Sequence, residues 1–300
     1  MATAISHITV CICTFKRPVL LKGLLQKLVD LRTEGFFTYS VVVADNDAEC
    51  SAKDVVAEFS GSAPFPVTYC VEPQQNIALV RNWALQYATG DWIAFIDDDE
   101  FPSRDWLYNL LQTQAQYQAD GVLGPVKPLF QTEPPRWVMR GRFFERPTYE
   151  TGRQLSSGET RTGNVLLRRS MVSDGDIPFN PEFGTGGEDV DFFGRMMKKR
   201  YRFVWCNEAP VFEDVPQSRC SRSYLLKRAL LRGSNRSKIS TGRVKSAVKS
   251  LIAVPCYTLA LPVLALLGQH VLIKYLIKLG DHTGRIWGFL GIPLVTRREM

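Results

Sequence analysis

Three adjacent carboxylates, Asp97, Asp98 and Asp99, with Glu100 directly behind them, end an apolar run that begins at Trp92. Side by side they repel one another, and a bound diphosphate would add more negative charge. A hard divalent cation, Mn2+ or Mg2+, resolves both conflicts. Such ions take oxygen ligands and often combine one or two carboxylates with the phosphates of a substrate. Held there, the cation would offset charge on a departing diphosphate. An acidic turn solvated by water accounts for the triplet equally well; its place at the end of an apolar strand favours the metal. A second acidic group, Glu188, Asp189 and Asp191, follows Gly184, Thr185, Gly186 and Gly187. Carboxylates in a first helical turn are favoured by the helix dipole alone. The glycines, however, let backbone approach a ligand. A carboxylate remote from the metal cluster also suits a general base that takes a proton from an attacking hydroxyl.

The elements that must position these groups are legible from periodicity. Residues 7–13, 39–44, 67–71 and 92–96 are apolar runs of strand length. Residues 19–31, 55–59, 77–88 and 105–118 separate or follow them as helices, the first carrying Leu20, Leu21, Leu24, Leu25 and Leu28 at helical spacing. Gly90 is placed to end the helix over 77–88. This alternation predicts an α/β domain whose mostly parallel sheet is covered on both faces. Ligands of such sheets bind beyond the carboxyl ends of the strands. Thr14, Asp45 and Asp97 follow the first, second and fourth strands, so the topology brings them to one edge. Past residue 125 the alternation weakens. Residues 126–162, rich in Pro, Arg and aromatics, read as a long irregular segment of the kind used as a lid or substrate loop. Strands over 164–168 and 203–206, a helix over 188–199 and a basic helix over 224–232 follow.

Charge is segregated. The chain of 300 residues carries a net +7, yet from residue 217 onward the acids are Asp281 and Glu299 alone, against fifteen Lys and Arg. The body over 1–216 is therefore acidic and the tail over 217–300 basic. Residues 251–268 are uncharged but interrupted by Pro255 and Pro262, and ten basic residues lie between Arg219 and Lys249. That order predicts membrane association with the basic side cytoplasmic, 251–268 spanning the membrane or lying in it; the alternative is a buried helical cap on the soluble domain. Residues 270–279, with Lys274 and Lys278 on one side, suit an interfacial helix, and 286–295 form another short apolar piece. Arg228 and Arg232, four apart, share a helix face that could hold a pyrophosphate or meet lipid headgroups. No nucleic-acid-binding pattern occurs. Seven cysteines without a CxxC pair read as reduced thiols, and residues 1–7 lack a secretion-signal pattern. His7, His270 and His282 lie far from the acidic motifs and read as structural or solvated. The turn over 14–18 has no glycine, which argues against a dinucleotide site, and no P-loop is present.

Thr14-Phe15-Lys16-Arg17-Pro18, Val43-Ala44-Asp45-Asn46, the stretch from Asn76 through Arg81 to Asn82, Asp97-Asp98-Asp99 and Gly187-Glu188-Asp189 occur in the order and spacing of family 2 glycosyltransferases with the GT-A fold. The resemblance spans roughly residues 7–215 and looks closest to the bacterial glucosyltransferases that build succinoglycan-type exopolysaccharide on a lipid carrier. It implies a GT-A catalytic domain over 1–216, with a nucleotide-binding half near 1–125 and an acceptor half near 126–216, followed by a membrane-associated tail. It implies a UDP-sugar donor, with glucose or a related sugar passed to a lipid-linked oligosaccharide at the cytoplasmic face of the inner membrane. Asp45 would bind the donor base; Thr14, Phe15, Arg17 and Asn76 would line the nucleotide pocket; Arg81 would lie near the diphosphate. Asp98 and Asp97 would approach the ribose or sugar. Asp99, with Asp97, would hold the metal. Asp189 would be the base of an inverting displacement, and Glu188 would contact a substrate. Many members place a histidine near the metal after the last strand; residues 210–215 contain none, and Glu213 could take its place. A nucleotidyltransferase of similar sheet would need a glycine-rich phosphate loop after the first strand, and a catalytically silent membrane scaffold would show no metal-dependent turnover.

Overall fold

The structure is a computed structural model that describes residues 5–173, 177–239 and 243–292. Its first half builds the expected alternation: β1 (Ser6–Thr14), α1 (Pro18–Val29), β2 (Phe37–Asp45), α2 (Lys53–Ser60), β3 (Val67–Val71), α3 (Ile77–Gln86) and β4 (Trp92–Asp97). These strands are mutually parallel in the order β3-β2-β1-β4. After β5 (Glu100–Pro102) and α4 (Trp106–Tyr117), the short strand β6 (Gly121–Leu123) returns to the sheet. β7 (Val126–Phe130), α5 (Arg136–Gly141), β8 (Val165–Arg168), α6 (Ser170–Ser173), α7 (Glu188–Lys198), β9 (Phe203–Trp205) and β10 (Val211–Val215) complete the body. The seven-stranded sheet continues β4-β8-β6-β9, with β8 antiparallel to both neighbours. It is therefore mixed but mostly parallel. Strands β5, β10 and β7 form a second sheet of three.

Both faces of the large sheet are apolar because helices cover both. Val10, Ile12 and Val41 pack with Leu21, Leu24 and Leu25 of α1 and with Trp106 of α4. On the other face Cys11, Val42 and Phe95 meet Ala78 and Val80 of α3 and Phe192 and Phe193 of α7. Fully enclosing each large side chain contributes about 1.5–3 kcal/mol. This doubly covered sheet fixes the strand ends that carry the chemistry. Gly90 does not cap α3, which ends at Gln86. A side chain there would press on the backbone of Thr9 and His7, so glycine lets the chain cross β1 closely.

The tail departs from its reading in two respects. The basic helix runs further, as α8 (Arg222–Ile239), and the pieces over 270–279 and 286–295 are one helix, α10 (Gln269–Phe289), residues 293–295 lying outside the described residues. Between them α9 (Arg243–Leu266) keeps both prolines inside. Among the described residues it is the one helix long and apolar enough to cross a membrane. It presents Leu259 and Leu266 more than four-fifths exposed. α8 and α10 approach backbone to backbone: a methyl group on Gly284 would strike the Leu230 carbonyl, and one on Gly233 the Asp281 carbonyl. Arg232 reinforces the crossing through two hydrogen bonds to Asp281, at 2.8 and 2.6 Å.

Candidate functional site

Strand register creates the first part of the site. Thr14 lies opposite Asp45, and Cys13 opposite Asp97, at the carboxyl ends of β1, β2 and β4. Beyond this edge Thr14 Oγ1 donates to Asp98 Oδ2 at 2.8 Å. Lys16 turns the chain through a left-handed conformation, φ +54°, before α1 begins. That turn brings Arg17 back to donate through Nη1 to Asp98 Oδ1 at 3.0 Å and Asp99 Oδ2 at 3.2 Å. Burial pushes the Asp98 carboxyl up to about 6; Arg17 and Thr14 oppose the shift, and neighbouring Asp99 adds to it.

A second tier of arginines comes from later in the chain. Arg219, in the 3-10 turn after β10, donates to Asp99 at 3.0 Å and to Glu213 at 3.2 Å. Arg146 pairs with the other oxygen of Glu213. Glu213 stands opposite Glu100 in the antiparallel β10–β5 register. Glu100 is wholly buried; Oε2 accepts the Asp97 N–H at 3.2 Å, while Oε1 has no hydrogen-bond partner among the described residues. Burial and the nearby Asp97 hold its carboxyl well above the usual range.

The other acidic motif is joined to this rim through Arg81. Gly186 and Gly187 adopt φ of +123° and +101°, a conformation that glycine accepts and other residues resist. Their turn swings the start of α7 toward α3. Arg81 of α3 is buried against Glu188 and places its second nitrogen 3.7 Å from Asp97 Oδ1. One guanidinium therefore ties the two acidic motifs together. Asp189, next to Glu188, is pushed up to about 6, first by burial and then by Glu188, with Arg81 pulling the other way. A carboxylate so shifted is ionised at neutral pH yet basic enough to accept a proton.

A cleft of about 1160 Å³ gathers Thr14, Phe15, Arg17, Arg81, Asp97, Asp98 and Asp99. Four expected site residues are not among its lining: Glu188 and Asp189, which lie behind Arg81, and Asp45 and Asn76. Asp45 is completely enclosed: its oxygens accept the Asp47 and Ala52 N–H groups at 3.1 and 2.9 Å and the Tyr69 hydroxyl at 2.9 Å. It braces the turn behind the pocket and offers no edge to a base in this conformation. Asn76 caps α3, accepting from Ala78 and Leu79, while its amide donates to the Pro181 carbonyl. Asn46, beside Asp45, is the residue of that turn that does line the cleft.

The opposite wall is α8. Tyr224, Lys227, Arg228, Leu231, Ser234 and Asn235 recur at helical spacing and line the cleft. Asn235 donates to the Thr185 carbonyl at 2.9 Å, bracing the glycine turn before Asp189. The pairing of Arg228 with Arg232 on one working face is not observed, because Arg232 is held by Asp281. Arg146, Arg219 and the α8 face were the parts hidden from motif reasoning. The basic stretch after Arg219 signalled positive charge, but its spacing carries no information about which helix face turns inward.

The donor set suits a hard cation. Asp97, Asp99 and Glu213 supply carboxylate oxygens to one cleft, and Asp99 and Glu213 already share the positive charge of Arg219. Among the described residues no three His, Cys, Asp or Glu side chains form a ready-made cage. That arrangement matches ions that complete their shell with substrate phosphates and water.

The comparisons with known proteins agree with this geometry. The Glycosyl transferase family 2 profile matches residues 9–174, more than half of the chain, and the chain belongs to that family: it is a glycosyltransferase with the GT-A fold. Among individual relatives it is 38% identical to the succinoglycan biosynthesis protein ExoM of Rhizobium meliloti, over 78% of this chain and 75% of that protein. It is 23% identical to the glycosyltransferase AglE of Haloferax volcanii, over 55% and 61% of the two chains. The fold is shared with the mannosyltransferase PcManGT of Pyrobaculum calidifontis, solved with GDP-Man and Mn2+, at a TM-score of 0.65, 17% identity and 95% and 88% coverage. It is also shared with S. aureus TarS 1–349, at a TM-score of 0.51 and 18% identity; the chain covers 65% of that structure's length.

Proposed function

We propose that this glycosyltransferase is an inverting, metal-dependent enzyme of bacterial exopolysaccharide or other cell-surface polysaccharide synthesis. It takes glucose or a related sugar from a UDP-sugar and adds it to a lipid-linked oligosaccharide at the cytoplasmic face of the membrane. The observation that carries the reading is Arg81, which lines the cleft with Asp97, Asp98 and Asp99 and ties that carboxylate rim to Glu188, the neighbour of Asp189. The similarity to ExoM supports the polysaccharide setting, and the basic α8 followed by apolar α9 supports membrane association.

In this reading Asp99 and Asp97 hold Mn2+ or Mg2+, with Glu213 adjacent; the cation supplies Lewis-acid stabilisation of the leaving diphosphate. Thr14, Phe15 and Arg17 form the nucleotide side, and Asp98 orients the ribose or sugar while held by Thr14 and Arg17. Asp189 takes the proton from the acceptor hydroxyl as it attacks the anomeric carbon, and Glu188 holds Arg81 in place. Residues 1–216 form the catalytic body in this scheme; α9 and α10 belong to the membrane-associated tail, and α8 joins the two. The test is sugar release and transfer across a panel of nucleotide sugars, with Mn2+ present and then chelated. Turnover of a UDP-sugar that stops on chelation and returns with Mn2+ is expected; turnover indifferent to chelation would remove the metal from the mechanism.

A further inference from the structure

Among the described residues, one arginine of the cleft has no carboxylate partner. Arg17, Arg81, Arg146 and Arg219 each touch one or two carboxylates. On α8, Arg232 is committed to Asp281. Arg228 is exposed to the cleft and has no hydrogen-bond or ion-pair partner among the described residues. Lys227 lines the cleft beside it, and Tyr224 lies one turn before on the same face. One turn further, Leu231 makes that face apolar, and Ile292, just past α10, extends the apolar surface toward the α9–α10 hairpin. α8 cannot easily rotate this face away, because Gly233 and Gly284 hold it backbone to backbone against α10.

A planar guanidinium without a carboxylate is matched by a phosphate oxygen pair, which it can grip through two parallel hydrogen bonds. The adjoining apolar surface asks for a hydrocarbon chain attached to that phosphate. We propose that Arg228, with Lys227 and Tyr224, seats the diphosphate of an amphiphilic acceptor whose chain leaves along Leu231 and Ile292 toward the membrane-facing hairpin. This rests on the lipid-linked reading of the acceptor and adds to it a site separate from the donor's. The acceptor sugar would then reach across the cleft toward Asp189, while the donor diphosphate occupies the carboxylate rim.

The experiment uses the full chain in nonionic detergent, saturated with UDP and Mn2+ so that the donor site is filled. Farnesyl diphosphate is the probe, titrated calorimetrically. Inorganic diphosphate tests the head alone, farnesol the chain alone, and phosphatidylglycerol in mixed micelles the alternative source of anionic lipid phosphate. Farnesyl diphosphate is expected to bind with UDP present, about ten-fold or more tighter than either half. Arg228→Gln is expected to weaken it about ten-fold or more, the scale of one charge-assisted contact. Arg228→Lys, which keeps charge without the fork, should fall between, and UDP affinity should stay within about two-fold in both variants. Three results would overturn the seat: displacement of the probe by UDP, unchanged probe binding in Arg228→Gln, or equal competition by phosphatidylglycerol. If the wild-type chain binds no farnesyl diphosphate at all, the lipid-linked reading falls with it. If it binds the probe without regard to Arg228, that reading stands and only the seat fails.

Discussion

The two walls of the cleft keep their charges differently. On the sheet side Asp98, Asp99, Glu188 and Glu213 each touch an arginine, and those arginines are buried or half-buried. On the helical side Arg228 stands exposed in the cleft with no acid paired to it among the described residues. The sheet wall is thus held together by its own electrostatics before any ligand arrives. The helical wall is held by close backbone packing and leaves its charge for something else. A buried, paired network loses stability when one partner is removed, whereas an exposed cation loses ligand affinity. The contrast gives each wall its own experimental signature.

The largest effect is expected at the shared centre of the paired wall. Asp99→Ala removes the carboxylate that accepts from both Arg17 and Arg219 and should abolish metal-dependent transfer, with Mn2+ binding lost in a titration followed by electron paramagnetic resonance. Normal Mn2+-dependent turnover in that variant would remove Asp99 from the metal site.

Glu188→Ala should unfold the body more easily, because it leaves the buried Arg81 guanidinium only its longer contact to Asp97. The expected loss is about 3–5 kcal/mol in denaturant unfolding. A loss below about 1 kcal/mol would mean that the pair is solvated and the wall not self-supporting.

Asp189→Asn keeps the shape of the helix start and removes its basicity. Transfer should fall by about 100-fold or more, while UDP and Mn2+ affinities persist. In the unaltered enzyme the base is ionised above its value of about 6, so the rate should decline as pH drops through that point. The variant should lack this acid limb. Near-normal transfer in Asp189→Asn, with Glu188→Gln inactive, would reassign the base to Glu188.

On the helical wall, Gly284→Val forces a branched side chain against the Leu230 carbonyl. Overpacking of this kind should cost about 1–3 kcal/mol of stability and displace α8. Donor affinity is expected to survive if the two walls are as independent as their packing indicates; an equal loss of UDP binding would show that α8 also shapes the donor site.

The smallest effect concerns Asp45. Replacing it with Ala leaves the Ala52 N–H and the Tyr69 hydroxyl without their acceptor, which should lower stability by about 1–3 kcal/mol. Donor affinity should then change mainly through the turn that Asp45 braces. An unchanged melting temperature with a raised Michaelis constant for donor would restore it as a direct contact to the base.

Asp45 also marks where sequence reasoning stops. An acid at the end of a buried strand points to the ligand edge, but the side chain can turn outward to a substrate or inward to the backbone. The N–H groups of Asp47 and Ala52 and the Tyr69 hydroxyl decided for inward. An Asn directly before a helix suits a pocket or a cap, and at Asn76 the cap is what forms.

Sequence by itself determined the four parallel strands, the helices between them and the edge at which Thr14 and Asp97 meet, because apolar period and strand length leave little freedom. It also determined that the tail is basic and then apolar. The ring of arginines was decided only by the tertiary structure. Arg81 and Glu188 lie 107 residues apart, and Arg219 and Asp99 lie 120 apart. No local periodicity encodes such pairs; they form because β10 pairs with β5, and because α3 and α7 pack on the same face of one sheet. The inward face of α8 was settled the same way, by glycines that let two helices touch along their backbones and so fix which arginine turns toward the cleft.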